Sequence, residues 1–94
     1  MKYEIVFIVR PNIDEEGAKE VLKSFEKVLT DNGAKIVSSK DWGQKELAYE
    51  IKDHKTGYYF IVNIEAEDAK AINEFDRLAL ISEDIIRHMI VKED

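Results

Sequence analysis

The chain has two histidines, and neither stands in a pattern that catalysis or metal binding requires. His54 falls in a predicted turn, and His88 falls in a predicted strand beside Arg87. Neither has the serine and carboxylate spacing of a nucleophilic triad or the i, i+4 spacing of a metal pair. We interpret His54 as a solvated turn residue and His88 as a packing residue. The three carboxylates at 14–16 begin a predicted helix, whose dipole attracts acids without catalysis. These residues predict no enzyme.

The composition excludes several further kinds of chemistry. The 94 residues include no cysteine, so disulfides, thiolate catalysis, zinc–thiolate sites and iron–sulfur clusters are excluded together. The four glycines are scattered and form no phosphate-binding loop. We expect no metal, no cofactor and no small-molecule substrate. The longest apolar run, Ile5 to Val9, is far shorter than the roughly 20 residues that span a bilayer, so we expect a cytoplasmic chain without a signal peptide or membrane segment.

Length and hydropathy patterning predict a single domain over residues 1–94. The chain is 45% hydrophobic and 36% charged, which is enough apolar material for a folded core. Apolar residues recur at helical spacing in two places, and an aspartate that can cap a helix, Asp14 or Asp68, precedes each. We predict one helix from about 15 to 31, ending at Asn32-Gly33, and a shorter one that follows Asp68 and runs to about 80.

The remaining segments alternate with the period of strands. Runs of β-branched and aromatic residues predict strands over 3–9, 58–64 and 85–91. Residues 35–51 fit one long strand with a bulge or kink at Trp42-Gly43, and 53–57 fits a hairpin turn. The element order is that of the ferredoxin-like split βαβ fold (βαββαβ), an α+β architecture with a four-stranded antiparallel sheet and both helices on one face. The residues expected at the helix–sheet interface are Phe25, Leu29, Phe75 and Leu78 against Ile5, Phe7, Phe60 and Ile64.

One face of such a sheet is left without helices, and strand parity indicates which residues it shows. Since Phe7 and Phe60 belong to the core set, their neighbours point the other way. The residues predicted to form an apolar island on the open face are Val6, Ile8, Tyr59 and Ile61. A monomer seldom leaves such a patch unused, so we interpret the island as a partner-binding surface.

The most distinctive segment runs from Trp42 to Lys52. A glycine that permits a bend is followed by a strand with Leu47, Tyr49 and Ile51 on one side. The segment closely resembles the signature of the bacterial small-subunit ribosomal protein six family, which Gly43, Lys45, Glu46, Leu47, Ala48, Tyr49, Ile51 and Lys52 all satisfy. The resemblance covers essentially the whole chain, from Tyr3-Glu4 through Gly57-Tyr58 to Val91-Lys92. It implies a ferredoxin-like fold, no catalytic activity, and assembly with ribosomal protein eighteen onto the central domain of small-subunit ribosomal RNA, in the cytoplasm and on the ribosome.

The charge distribution bears on that implication. The net charge is −6, which taken alone disfavours nucleic acid, but the two helical segments, 13–34 and 65–84, carry −8 and the remaining segments +2. We therefore expect weak RNA binding by the isolated chain and stronger binding with a basic partner. The candidate RNA-binding residues are Arg87, Lys2, Arg10, Lys45 and Lys92.

Three other functional hypotheses for the same fold stay open. A protein-interaction module would use the apolar island without RNA. A ligand-sensing module would need a polar loop that clamps a small anion, and none is evident. An acylphosphatase-like enzyme would need an asparagine partner for Arg10, and Arg10 alone does not make that site.

Overall fold

The computed structural model describes residues 1–93, and the chain forms a four-stranded antiparallel sheet covered on one face by two helices. In chain order the elements are β1 (Lys2–Val9), α1 (Glu15–Asp31), β2 (Lys35–Ile51), β3 (His54–Glu65), α2 (Lys70–Ile81) and β4 (Ile85–Lys92). The strands lie in the order β2-β3-β1-β4, so β1 and β3 are central and β2 and β4 are edges. The predicted ferredoxin-like fold is confirmed. No helix among these residues is long and apolar enough to cross a membrane.

The two helices begin in different ways. Asp14 is the N-cap of α1, and its carboxylate accepts a 2.7 Å hydrogen bond from the backbone N–H of Gly17. The expectation that Asp68 caps α2 is wrong by one residue, because the N-cap position belongs to Ala69. Asp68 nevertheless accepts a 3.0 Å hydrogen bond from the N–H of Lys70, so it satisfies one of the unpaired donors of the first turn.

The core lies between the helices and the sheet and is built around four phenylalanines. Phe7 and Phe60 come from the central strands, and Phe25 and Phe75 come from the helices. The ring centroids of contacting pairs are 5.2 to 6.2 Å apart. Phe7, Phe60 and Phe75 are fully buried. Leu78, expected in the same interface, is only half-buried at its margin.

The long edge strand β2 contains the predicted irregularity at Trp42-Gly43 and another before it. The register against β3 shifts between Ile36 and Ser38 and again between Asp41 and Gly43, so that Val37 and Trp42 are extra residues in the ladder. Gly43 has a φ of 75°, and its N–H donates a 2.8 Å hydrogen bond to the Asp41 carboxylate. The structure thus assigns a bulge at each position.

The predicted hairpin turn over residues 53–57 is wrong. The turn is formed by Lys52 and Asp53, whose φ values of 49° and 66° are left-handed, and β3 already begins at His54. Gly57 is a buried strand residue whose missing side chain makes room for Ile8 of the neighbouring strand, because a Cβ there would overlap the Ile8 Cγ2. A glycine that suggested a turn is therefore required by close packing.

Candidate functional site

The four island residues do come together on the helix-free face of the sheet. Val6 lies opposite Ile61, and Ile8 lies opposite Tyr59, on the central strands β1 and β3. They are more covered than an open face would suggest: Ile8 is 6% exposed, Ile61 is 8% exposed, and Val6 and Tyr59 are half-buried. Some other part of the chain must therefore shield them.

The shield is the distal part of the β2–β3 hairpin. The ladder between the two strands is interrupted between Glu46 and Ile51. Leu47, Tyr49 and Ile51 of this region line a common cavity with the island residues Val6, Ile8 and Tyr59. Together with residues of β4 they line a partly open cavity of about 210 Å³. Its lining is mainly apolar and comprises Val6, Ile8, Leu47, Ala48, Tyr49, Ile51, Tyr59, Arg87, His88 and Met89. We call this cavity the sheet groove.

Arg87 closes one side of the sheet groove. Its guanidinium carbon lies 5.8 Å from the centroid of the Tyr49 ring, and Nη1 donates a hydrogen bond to the Tyr49 hydroxyl. The register places Arg87 beside Ile8, at the margin of the island. Arg87 is exposed, so its remaining N–H groups can still reach a ligand outside the groove.

The structure separates the other predicted RNA-binding residues. Lys2 and Lys45 lie on the open face, where Lys2 approaches Glu65 at 4.0 Å and the Lys45 ammonium lies 5.9 Å from the centroid of the Trp42 ring. The register puts Lys92 opposite Tyr3, on the helix side. The Arg10 Nε donates a 2.9 Å hydrogen bond to Asp84, beyond the end of β1. Arg87, Lys2 and Lys45 therefore share a face, and Arg10 and Lys92 do not join them.

The other residues considered for catalysis or metal binding take part in packing and hydrogen bonding instead. His88 is largely buried on the helix side, edge-on to Phe75, with its Nε2 2.7 Å from Asp76. The interpretation of His88 as a packing residue is confirmed. Among residues 1–93 no three histidine, aspartate or glutamate side chains converge as metal ligands would. On α2, a hydrogen bond from Arg77 lowers the pKa of Glu74. That pair belongs to the helix layer, and the sheet groove lies on the other face of the sheet.

Sequence reasoning assigned no site role to Leu47, Tyr49, Ile51 or Met89, which all line the groove. A signal was present for each. The first three share one side of their strand, and Met89 has the same parity as Arg87 on β4. The missing information was that the hairpin folds against the sheet, which strand periodicity does not specify.

These features define a class: a ferredoxin-like α+β protein whose helix-free sheet face carries an apolar groove with cationic residues at its margin. Comparison with known proteins identifies the class further. A family model described as ribosomal protein S6 matches residues 2–92. The crystal structure of the 30S ribosomal protein S6 of Thermotoga maritima superposes with a TM-score of 0.93 at 25% sequence identity, covering 98% of this chain and 86% of that one. The chain belongs to the ribosomal protein S6 family, a family of structural ribosomal proteins of the small subunit and not of enzymes.

Proposed function

We propose that the chain is a structural component of the small ribosomal subunit that binds the central domain of small-subunit ribosomal RNA as a heterodimer with ribosomal protein eighteen, on cytoplasmic ribosomes. The observation that carries the proposal is the sheet groove. It places an apolar, partly enclosed site beside Arg87 on a face that the helices leave uncovered. Apolar pockets of this kind receive the anchoring side chains of protein partners.

The volume of the groove suits such an anchor. A cavity of about 150 Å³ lined by apolar side chains can hold a benzene ring. The sheet groove, at about 210 Å³, is therefore large enough for one aromatic or a branched aliphatic side chain of a partner. Ile8 of the central strand β1 lines the groove and is already mostly covered, while Met89 of the edge strand β4 lines it and is 50% exposed.

Charge supports a basic partner and a cooperative order of assembly. With a net charge of −6 the chain repels RNA phosphates as a whole. A basic partner neutralises this charge and supplies further phosphate contacts, so the pair binds RNA better than either chain alone. Of the RNA-binding candidates, Arg87, Lys2 and Lys45 lie on the face that the partner would border, and Arg10 and Lys92 contribute from outside it.

A sedimentation experiment tests the proposal. Tagged chain in a bacterial extract should sediment with small ribosomal subunits. Met89→Glu places a charge at the mouth of the groove and should leave the chain at the top of the gradient. Leu80→Glu is the matched control, since Leu80 is 68% exposed at the end of α2 on the helix side. Equal sedimentation of the two variants would contradict the assignment of the groove.

A protein-interaction module that acts without RNA is the alternative, and the apolar lining of the groove favours it equally. The same extract separates the two functions. Recovery of one protein partner without ribosomal RNA would support the interaction module, and recovery of both would support the proposed ribosomal role.

A further inference from the structure

Three lysines of β2 share one face of the sheet although their spacing in the sequence argues against it. Lys35, Lys40 and Lys45 follow one another at intervals of five residues, and in a regular strand an odd interval places neighbours on opposite faces. The two bulges of β2 each insert one extra residue between them. Each interval is thereby reduced to four ladder positions, and the three lysines return to the same face.

The cross-strand register shows which face this is. The partners of the three lysines on β3 are Glu65, Ile61 and Gly57 in that order. Ile61 belongs to the apolar island, and Gly57 packs against Ile8 of the same island. The lysines therefore lie on the helix-free face, along its β2 edge, at successive spacings of about 13 Å if each ladder position rises by roughly 3.3 Å. We call them the lysine stripe.

The charges of the lysine stripe are available to a ligand. All three residues are exposed, and among residues 1–93 no carboxylate oxygen lies within 4.0 Å of the ammonium of Lys35 or Lys40. Glu65, opposite Lys35, is instead engaged by Lys2. The Lys45 ammonium lies over the ring of Trp42, which is 53% exposed at the second bulge. An exposed aromatic ring thus stands within the row of cations.

We infer that the lysine stripe is a second RNA contact of this protein, in which Lys35, Lys40 and Lys45 bind consecutive parts of a phosphate backbone and Trp42 stacks on an unpaired base. Lysine is a flexible point charge that binds phosphate without reading sequence. A cationic row with an aromatic platform is the combination that binds single-stranded nucleic acid. The inference rests on the proposed ribosomal function and adds Lys35, Lys40 and Trp42 to its contacts.

Edge protection is the competing explanation for the same lysines. β2 is an edge strand, and lysines on edge strands discourage pairing with another chain. That explanation accounts for the charges but not for the exposed Trp42 among them, because an apolar ring at an edge favours association. The two explanations also differ in what a salt titration of RNA binding shows.

The test measures binding of a central-domain ribosomal RNA fragment to the chain with its partner protein, over a range of salt concentrations. The variant Lys35→Gln/Lys40→Gln/Lys45→Gln should reduce the slope of log affinity against log salt by about 2 to 3, at 0.7 to 0.9 per lost contact. Lys19→Gln/Lys23→Gln/Lys27→Gln on α1 is the control with the same change of charge on the helix layer, and its slope should change by less than about 1. The triple arginine variant of the stripe should keep the original slope.

Equal slopes for the stripe and control variants would overturn the inference while leaving the proposed function intact. Loss of binding in the arginine variant would show that the lysines act through strand structure and would also overturn it. Self-association of the glutamine variant with an unchanged slope would assign the stripe to edge protection. If the unaltered chain and partner fail to bind the RNA fragment, the proposed function itself fails.

Discussion

The guanidinium of Arg87 lies across the ring of Tyr49, 38 residues away in the sequence, and also donates a hydrogen bond to its hydroxyl. The two residues come from β4, one edge of the sheet, and from the end of β2, the other edge. A single side-chain contact therefore joins the two edges across the central strands. We expect this contact to hold the β2–β3 hairpin against the island, beside the sheet groove that both residues line.

Removal of this contact should loosen the hairpin without unfolding the protein. An exposed cation–π pair contributes about 0.5 to 1 kcal/mol and a hydrogen bond about the same, so Tyr49→Ala should weaken hairpin closure by about 1 kcal/mol. Amide hydrogen exchange of residues 47–51 should then accelerate about fivefold. Val37→Ala, at an exposed bulge of the same strand, is the control and should leave that exchange rate unchanged. Unchanged exchange in Tyr49→Ala would show that the contact between Arg87 and Tyr49 does not hold the hairpin.

Phe75 should be one of the most sensitive positions in the core. Its ring is fully buried and contacts Phe7 and Phe25 at centroid distances of 5.8 and 5.2 Å. Phe75→Ala should lower the free energy of unfolding by about 3 to 5 kcal/mol, as aromatic truncations in cores do. Leu80→Ala on the same helix should change it by no more than about 0.5 kcal/mol. Urea titrations compare the two, and a loss below about 1 kcal/mol for Phe75→Ala would mean that the helical face is misassigned.

Gly57→Ala should lower the free energy of unfolding because of the neighbouring residue on β1. Its backbone φ is not left-handed, so the expected penalty comes from overlap of a new Cβ with the Ile8 Cγ2 and from its approach to 3.1 Å from the Val9 carbonyl oxygen. Overpacking of this kind costs about 1 to 3 kcal/mol. Ile8→Ala removes the overlapping methyl group. The double variant Gly57→Ala/Ile8→Ala should therefore lose less free energy of unfolding than the sum of the losses in the two single variants. Strict additivity in the denaturant titrations would rule out the overlap.

The fold was predictable because local patterns agree with it. The alternation of Phe7 and Ile8 on β1 correctly assigned one residue to the helix side and the other to the open face. The hairpin turn was misplaced because Gly57 satisfies a turn and a close approach equally well in sequence, and the left-handed pair Lys52 and Asp53 contains no glycine.

The details of the site depend on tertiary geometry that periodicity does not contain. The common face of Lys35, Lys40 and Lys45 requires the number of extra residues at each bulge, which only the cross-strand register reveals. The contact between Arg87 and Tyr49 requires the hairpin to fold over the sheet. The sequence therefore predicted the island and the sheet face on which it lies, but neither the sheet groove nor the lysine stripe.

Arg87 is the best single candidate for an RNA contact near the groove. Its planar fork can grip a phosphate while one N–H group remains on Tyr49. With the partner present, Arg87→Ala should weaken binding of ribosomal RNA and reduce the salt slope by about 0.7 to 0.9. Tyr49→Phe is the control, because it removes the hydroxyl that accepts the Arg87 hydrogen bond but keeps the aromatic ring and the Arg87 guanidinium. Unchanged affinity and slope in a filter-binding titration of Arg87→Ala would exclude Arg87 from the RNA site.

The central claim is cooperative assembly, and a filter-binding titration of central-domain ribosomal RNA with the chain, with and without ribosomal protein eighteen, tests it most directly. The net charge of −6 leaves the free chain without the excess of cations that RNA binding requires. We predict no measurable binding of the free chain at physiological salt, and at least about 100-fold stronger binding with the partner, which equals about 2.8 kcal/mol. Tight binding by the free chain, or no gain from the partner, would contradict the account.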